Sequence, residues 1–348
     1  MQRVRFPAVC ARYVLCSGMT ENRPKSVSAR AQLGSVGRVA LSVSLLAWLL
    51  YLSNTSRILQ LAENMSLLLL LAIFVINLFA VFLSAVKWKL LLSSRPVGLL
   101  FQLNLVAAFY SVVLPGQIAG EVVKGYRLGK GVKDSELVVA SIVLDRATGL
   151  MAILMTGVLG AMISTESPAI FFRSVLAMLF AVGLAGLFAL RWSPFFDLTA
   201  SFLGKASCAV PQGSKFFAQV GAFIDAWRGY LDQYRLLAVT IAISVAQQTL
   251  YVLCIVLLAD PLGIRVSVYD WFWIFAAVSV AVMMPISLGG VGIREGAFVS
   301  TLALLQVSSE QALTLSLTIF AVQLAIAVLG GILEASGVRE RTRASHDE

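Results

Sequence analysis

The sequence predicts an all-α polytopic membrane protein with about six full transmembrane helices and two re-entrant helical hairpins related as an inverted repeat. Three observations predict it: an apolar composition that a soluble fold of this size cannot hide, apolar runs of membrane-spanning length, and a matched pair of Pro-Gly breaks. Of the 348 residues, 59% are hydrophobic and 13% charged, and the mean hydropathy is +0.88. Surface-to-volume scaling obliges a soluble chain of this length to show far more polar surface to water.

Crossing a hydrocarbon core takes roughly 20 apolar residues. Runs near that length occur at 36–54, 66–86, 136–163, 169–190, 236–259 and 311–334 and read as full spans. Two further runs, 97–114 and 267–284, end in Pro-Gly-rich sequence instead of a polar loop. The domain reading is a cytoplasmic N-terminal arm over 1–35, one transmembrane domain over 36–335 and a cytoplasmic tail over 336–348. Within that domain, 193–234 has helix-period apolar residues and reads as a cytoplasmic helix on the membrane surface, or as an extended start to the next span.

A net charge of +9 invites a nucleic-acid reading, but in a membrane chain lysine and arginine first report topology. If 97–133 dips in from the cytoplasm and 267–308 dips in from the opposite face, all but five of the 27 basic residues lie on the cytoplasmic side. The five are Arg57, Arg173 and Arg265 outside, and Arg146 and Arg294 within the membrane. Both termini are then cytoplasmic, and Lys87 falls in a cytoplasmic basic cluster ending at Arg95.

The dips match each other. "PGQIAGEVVK" (115–124) and "PISLGGVGIR" (285–294) align at a constant offset of 170 residues: a proline, a small residue and a glycine in register, and a terminal base. Inverted-topology repeats place the substrate site near the midplane at the repeat interface. Pro115 and Pro285 end a helix, and Gly116, Gly120, Gly289, Gly290 and Gly292 permit unusual backbone or close approach. Non-helical backbone at that depth must be buried in protein or line a wet cavity. The amides opening the second returning half-helix are expected to favour an anion.

The embedded ionisable set read from sequence is Glu121, Lys124, Asp145, Arg146, Arg294 and Glu295, three of each sign. Charge inside a membrane is costly and marks a pathway or ligand site, although mutual pairing is the structural alternative. Glu121 and Lys124, spaced i,i+3, share a helix face. Asp145–Arg146 and Arg294–Glu295 are sequence neighbours about 100° apart on a helix, so each acid is expected to orient a base from another segment. The arginine fork suits phosphate, which makes Arg146 and Arg294 the first candidates for gripping a lipid phosphate and Lys124 the next. Arg127, Lys130 and Lys133 are placed at headgroup level. Trp271 and Trp273, with Trp88 and Trp192 at the inner face, read as interfacial anchors. Gln247 and Gln248 bond across helices or toward substrate.

The chemistry these residues do not encode narrows the field. Four scattered cysteines and a single histidine, His346, indicate no metal site, no disulfide framework and no histidine-dependent catalysis. "GQIAGEVVKG" (116–125) lacks the ending of a nucleotide-binding loop. No cofactor is expected.

Together "LPGQIAGEVVKGYRL" (114–128), "VLDRATGL" (143–150) and "PISLGGVGIREGAFV" (285–299) resemble the transmembrane region of lysylphosphatidylglycerol synthases, over roughly 35–335. Lys124 departs from the commoner arginine. The synthase half is expected to be absent from this chain, so aminoacyl transfer is not carried over. The resemblance implies a lipid-translocating or lipid-binding domain of the bacterial inner membrane, a transporter and not an enzyme, with an anionic lipid of phospholipid or polyprenyl-phosphate type as its partner. Two alternatives stand beside it: a transferase acting on a polyprenyl phosphate, and a non-catalytic partner of a separate lipid-modifying enzyme.

Overall fold

A computed structural model describes residues 53–63, 65–114, 119–129, 135–191, 229–284 and 289–336, with isolated positions at 44, 47–49, 51, 226 and 227. The arm 1–35, nearly all of the first predicted span, Pro115, Gly116, Pro285, Lys130, Lys133, Trp192, the tail after 336 and most of 193–234 lie outside the described residues.

Ten helices run through the described part: α1 (Thr55–Glu63), α2 (Leu67–Leu91), α3 (Val97–Val113), α4 (Ala119–Gly129), α5 (Ser135–Ile163), α6 (Ser167–Arg191), α7 (Tyr234–Ala259), α8 (Val268–Val282), α9 (Ile293–Ala303) and α10 (Ser309–Ala335). Five segments are long and apolar enough to cross a membrane: Leu67–Leu91, Leu137–Ile163, Ser167–Gly186, Tyr234–Ala259 and Ser309–Ala335. They coincide with five of the six spans read from sequence. The chain is a multi-pass helical membrane protein.

Local chemistry sets the element ends. Leu114, which precedes Pro115, leaves the helical region at φ −93°, ψ 146°, as the proline ring requires of its predecessor. Ser308 caps α10 by accepting from the Gln311 amide at 3.3 Å, while the Gln311 side chain accepts from the Ser308 amide, satisfying two otherwise orphaned donors. Gly289, Gly290 and Gly292 adopt φ of +57°, +81° and +87°, a region closed to most side chains. That is why the second break is spelled in glycine.

Shifting α2, α3, α4 and α5 by 170 residues brings them onto α7, α8, α9 and α10 to within about four residues at each boundary. The packing repeats too: α3 lies most extensively on α10 and α8 on α5, while α2 lies on its own counterpart α7. One end of the bundle is tied by the Ser164 hydroxyl donating to Asp270 Oδ1 and by Gln311 Nε2 donating to the Leu262 carbonyl at 2.8 Å. At the other end the Tyr230 hydroxyl donates to the Leu91 carbonyl at 2.7 Å, and Trp88 Nε1 to Ser141 Oγ at 3.1 Å. Burial pushes the Tyr230 phenol up to about 12, so it remains a donor at any physiological pH. Helix α8 starts, and α9 returns, at the first end; α3 starts, and α4 returns, at the second.

The long helix contacts are close because they cross on glycine. A Cβ at Gly330 would overlap the Leu105 carbonyl of α3, and one at Gly160 of α5 would sit 2.6 Å from the Tyr269 carbonyl of α8. With no hydrophobic force between helices in lipid, such backbone approach supplies the packing. Replacing Gly330 with leucine is expected to cost roughly 1–3 kcal/mol or more through overpacking. Gly186→Ala, where nothing lies within 4 Å, is expected to leave the melting temperature of the detergent-solubilised protein unchanged, so a Gly330→Leu melt equal to that control would refute the crossing.

The aromatic anchors are corrected by the fold. Trp271 and Trp273 are 1% and 0% exposed, and the Trp273 indole donates to Asp270 Oδ1 at 2.7 Å. Trp88 is equally buried. An indole is as good a core filler as an anchor once its N–H has a partner, and each of these has or borders one.

Candidate functional site

The breaks face each other: Gly289 lies against Ser111 and Val112 at the end of α3. Beside this meeting point is a cavity of about 500 Å³, bordered by apolar side chains such as Ile73, Ile255 and Phe298. Its ionisable lining is Lys87, Lys124, Arg146, Arg294, Glu121 and Asp145, four cations against two anions. Five of these six residues are among the sequence candidates.

Lys87 is the sixth, and it overturns its cytoplasmic assignment. It is 3% exposed. Its ammonium sits 2.8 Å from Asp145 Oδ1 and donates to the Asp145 carbonyl at 3.2 Å and to Ser244 Oγ at 3.1 Å. Helix α2 continues to Leu91, five residues past the apolar run, and carries Lys87 inward. The available signal was Asp145 itself, which needed a base from another segment. With Lys87 added, the balance of three and three becomes four cations to three anions, counting Glu295 behind the wall.

Glu121 bridges two bases. Its Oε2 is 2.8 Å from Lys124 Nζ, the expected i,i+3 partner, and its Oε1 accepts from Arg146 Nη2 of α5. Lys124 also donates to Asn104 Oδ1 at 3.1 Å and lies 4.9 Å from the centre of the Trp88 ring. Gly120 makes this possible, because a Cβ there would overlap Ala107 and Ser111 of α3. Asp145 and Arg146 diverge as helix geometry demands, one toward α2 and the other toward α4.

Arg294 and Glu295 depart from that expectation. Although adjacent, they pair directly: Arg294 Nε and Nη2 donate to Glu295 Oε1 at 3.1 and 2.5 Å. The arginine stem is long enough to fold back along its own helix. Arg294 Nη1 further donates to Gln323 Oε1 at 3.0 Å and Nε to Ser316 Oγ at 3.3 Å, with the guanidinium 4.7 Å from the Phe320 ring centre. Glu295 Oε2 accepts from the Gly292 amide at 2.6 Å. The anion at the start of α9 is therefore the chain's own carboxylate, fully buried, where an incoming ligand had been expected.

The four cations thus differ in what they have left to give. Every nitrogen of Lys87, Lys124 and Arg294 is engaged, and their side chains are 4%, 7% and 7% exposed. Arg146 uses Nη2 alone in the hydrogen bonds described, and its side chain is 55% exposed against the cavity. Arg127 is bound elsewhere, its Nη2 lying 2.5 and 2.6 Å from the two oxygens of Glu334 on α10, so it locks α4 to α10 instead of standing at headgroup level. Gln247 reaches across helices to the Ala80 carbonyl at 2.8 Å, while Gln248 lines the cavity.

Breaking one member of a buried pair leaves an uncompensated charge, which costs about 3–5 kcal/mol. Lys87→Met alone is therefore expected to destabilise strongly, and Lys87→Met with Asp145→Leu to recover most of the loss. Thermal unfolding of both variants in one detergent checks this; equal losses would contradict the pairing.

A multi-pass helical bundle enclosing a charged cavity between two helix breaks is the class of protein these features define. The chain belongs to the family described as Lysylphosphatidylglycerol synthase TM region, whose profile matches residues 35–331. No curated protein and no solved structure matches the chain.

Proposed function

We propose that the protein binds an anionic lipid by its phosphate in this cavity and moves it between the leaflets of the bacterial inner membrane, as a transporter and not an enzyme. The observation that carries the proposal is the excess of cations at the cavity wall with one of them, Arg146, still holding uncommitted donors. Arginine is weakly hydrated and permanently charged, which suits a phosphate brought out of water.

On this reading the α3–α4 and α8–α9 pairs are re-entrant hairpins entering from opposite faces, related as an inverted repeat. The offset of 170 residues, the exchanged packing of α3 on α10 and of α8 on α5, and the return of each pair to its own end of the bundle support it. Both termini are cytoplasmic. The headgroup occupies the cavity while its chains stay in lipid, and movement of one repeat against the other exposes the cavity to each leaflet in turn.

The test is reconstitution. Proteoliposomes carrying tail-labelled phosphatidylglycerol are expected to lose leaflet asymmetry faster than protein-free vesicles. Crossing no faster than in empty vesicles, with phosphatidylglycerol, phosphatidic acid and polyprenyl phosphate alike and with or without a pH gradient, would overturn the proposal.

A further inference from the structure

Within the lipid-binding reading, on which this inference rests, the cavity also specifies what the headgroup must lack. We infer that it selects headgroups that carry phosphate and no amine, and that the Asn104 side-chain amide is a selecting donor. Both carboxylates in the wall are spent: Glu121 on Lys124 and Arg146, Asp145 on Lys87. An incoming ammonium would have to displace a buried cation from its acid and leave that cation unpaired, which is the unfavourable case for a desolvated charge.

The unspent capacity is made of donors. Asn104 is 7% exposed and lines the cavity, and its Nδ2 has no hydrogen-bond partner. Its orientation is fixed, because Lys124 can only donate and therefore takes the amide oxygen. What remains pointing away from Lys124 is an NH₂ group with nothing to bond, a costly state for a buried polar atom. Arg146 supplies the other free donors. A phosphate oxygen satisfies both groups, whereas an ammonium satisfies neither.

Net charge acts in the same direction. Phosphatidylglycerol brings one negative charge to a wall with an excess of two positive ones. Lysyl-phosphatidylglycerol, with two ammonium groups and one phosphate, brings a positive charge to that wall. Selectivity here arises from repulsion as much as from attraction.

The experiment measures lipid binding to the full chain in detergent micelles by native mass spectrometry, offering phosphatidylglycerol, phosphatidylethanolamine and lysyl-phosphatidylglycerol in equal amounts. Phosphatidylglycerol is expected to bind at least about tenfold more tightly than lysyl-phosphatidylglycerol. Asn104→Asp, which replaces the free donor with an acceptor, is expected to narrow that ratio; the wild-type ratio stands as a test even if this variant fails to fold. Equal binding of the three lipids, or preference for the aminoacylated one, would overturn the inference while leaving lipid binding intact. Binding of none would overturn both. Displacement of phosphatidylglycerol by an equimolar water-soluble glycerophosphate would assign the site to a free phosphate ester and overturn the lipid as its ligand.

Discussion

Arg146→Ala is expected to lower phosphatidylglycerol binding and transbilayer movement by roughly ten- to a hundredfold, the worth of one charge-assisted contact of about 1.5–3 kcal/mol. The size of the effect follows from how the cavity cations are committed. Lys87, Lys124 and Arg294 already serve wall groups at every nitrogen, whereas Arg146 touches Glu121 through Nη2. Removing it takes away the open end of the guanidinium fork, while Glu121 keeps Lys124 at 2.8 Å as its counter-charge. Stability is therefore expected to fall less than function. Arg146→Lys is expected to restore part of the binding, since it returns the charge without the planar fork. Titration of tail-labelled phosphatidylglycerol into the purified variants reads this directly. Undiminished affinity in Arg146→Ala would move the phosphate contact elsewhere in the wall.

The largest loss of stability is expected from Glu295→Ala. This carboxylate is fully buried and satisfies three groups at once: the Arg294 guanidinium, Ser316 and the amide of Gly292 at the start of α9. Its removal leaves a desolvated guanidinium without an acid, and a cost of about 3–5 kcal/mol is expected. Adding Arg294→Met removes the stranded charge and is expected to recover a large part of that loss. Full recovery is not expected, because the Gly292 amide still lacks its acceptor. Thermal unfolding of the single and double variants separates the two contributions. A single variant as stable as the parent would show that the pair does not hold the second break in place.

The two variants probe different halves of one arrangement. On the α8–α9 side, arginine and glutamate are folded onto each other and fix the geometry of the break. On the α3–α4 side, the matching position is Lys124, and the free guanidinium comes from α5 instead. Residues that align at an offset of 170 therefore do different work. The near-symmetry of helices does not extend to the side chains that line the cavity.

Much of this was legible in the amino-acid order. Five described spans, the two short helices, the glycine-dependent turn before α9 and the Glu121–Lys124 pair follow from hydropathy, from proline and glycine, and from helical spacing. The position of Lys87 did not follow, because an apolar run stops being visible before its helix stops. Nor did the burial of Trp271 and Trp273, since an indole near a span end reads alike whether it faces headgroups or a neighbouring helix. The self-pairing of Arg294 with Glu295 depended on a side-chain conformer, to which helical angle alone is blind.

By itself, then, the sequence determined that the chain enters a bilayer, where it crosses, where it breaks and which charges it carries inward. These are properties of local covalent chemistry and of transfer from water to lipid, and each is set within one segment of the chain. Only the tertiary structure decided which charges cancel and which remain available, because that depends on contacts among α2, α4, α5 and α10 that are distant in sequence. Asn104 and Lys87 belong to the cavity for the same reason: packing brought them there.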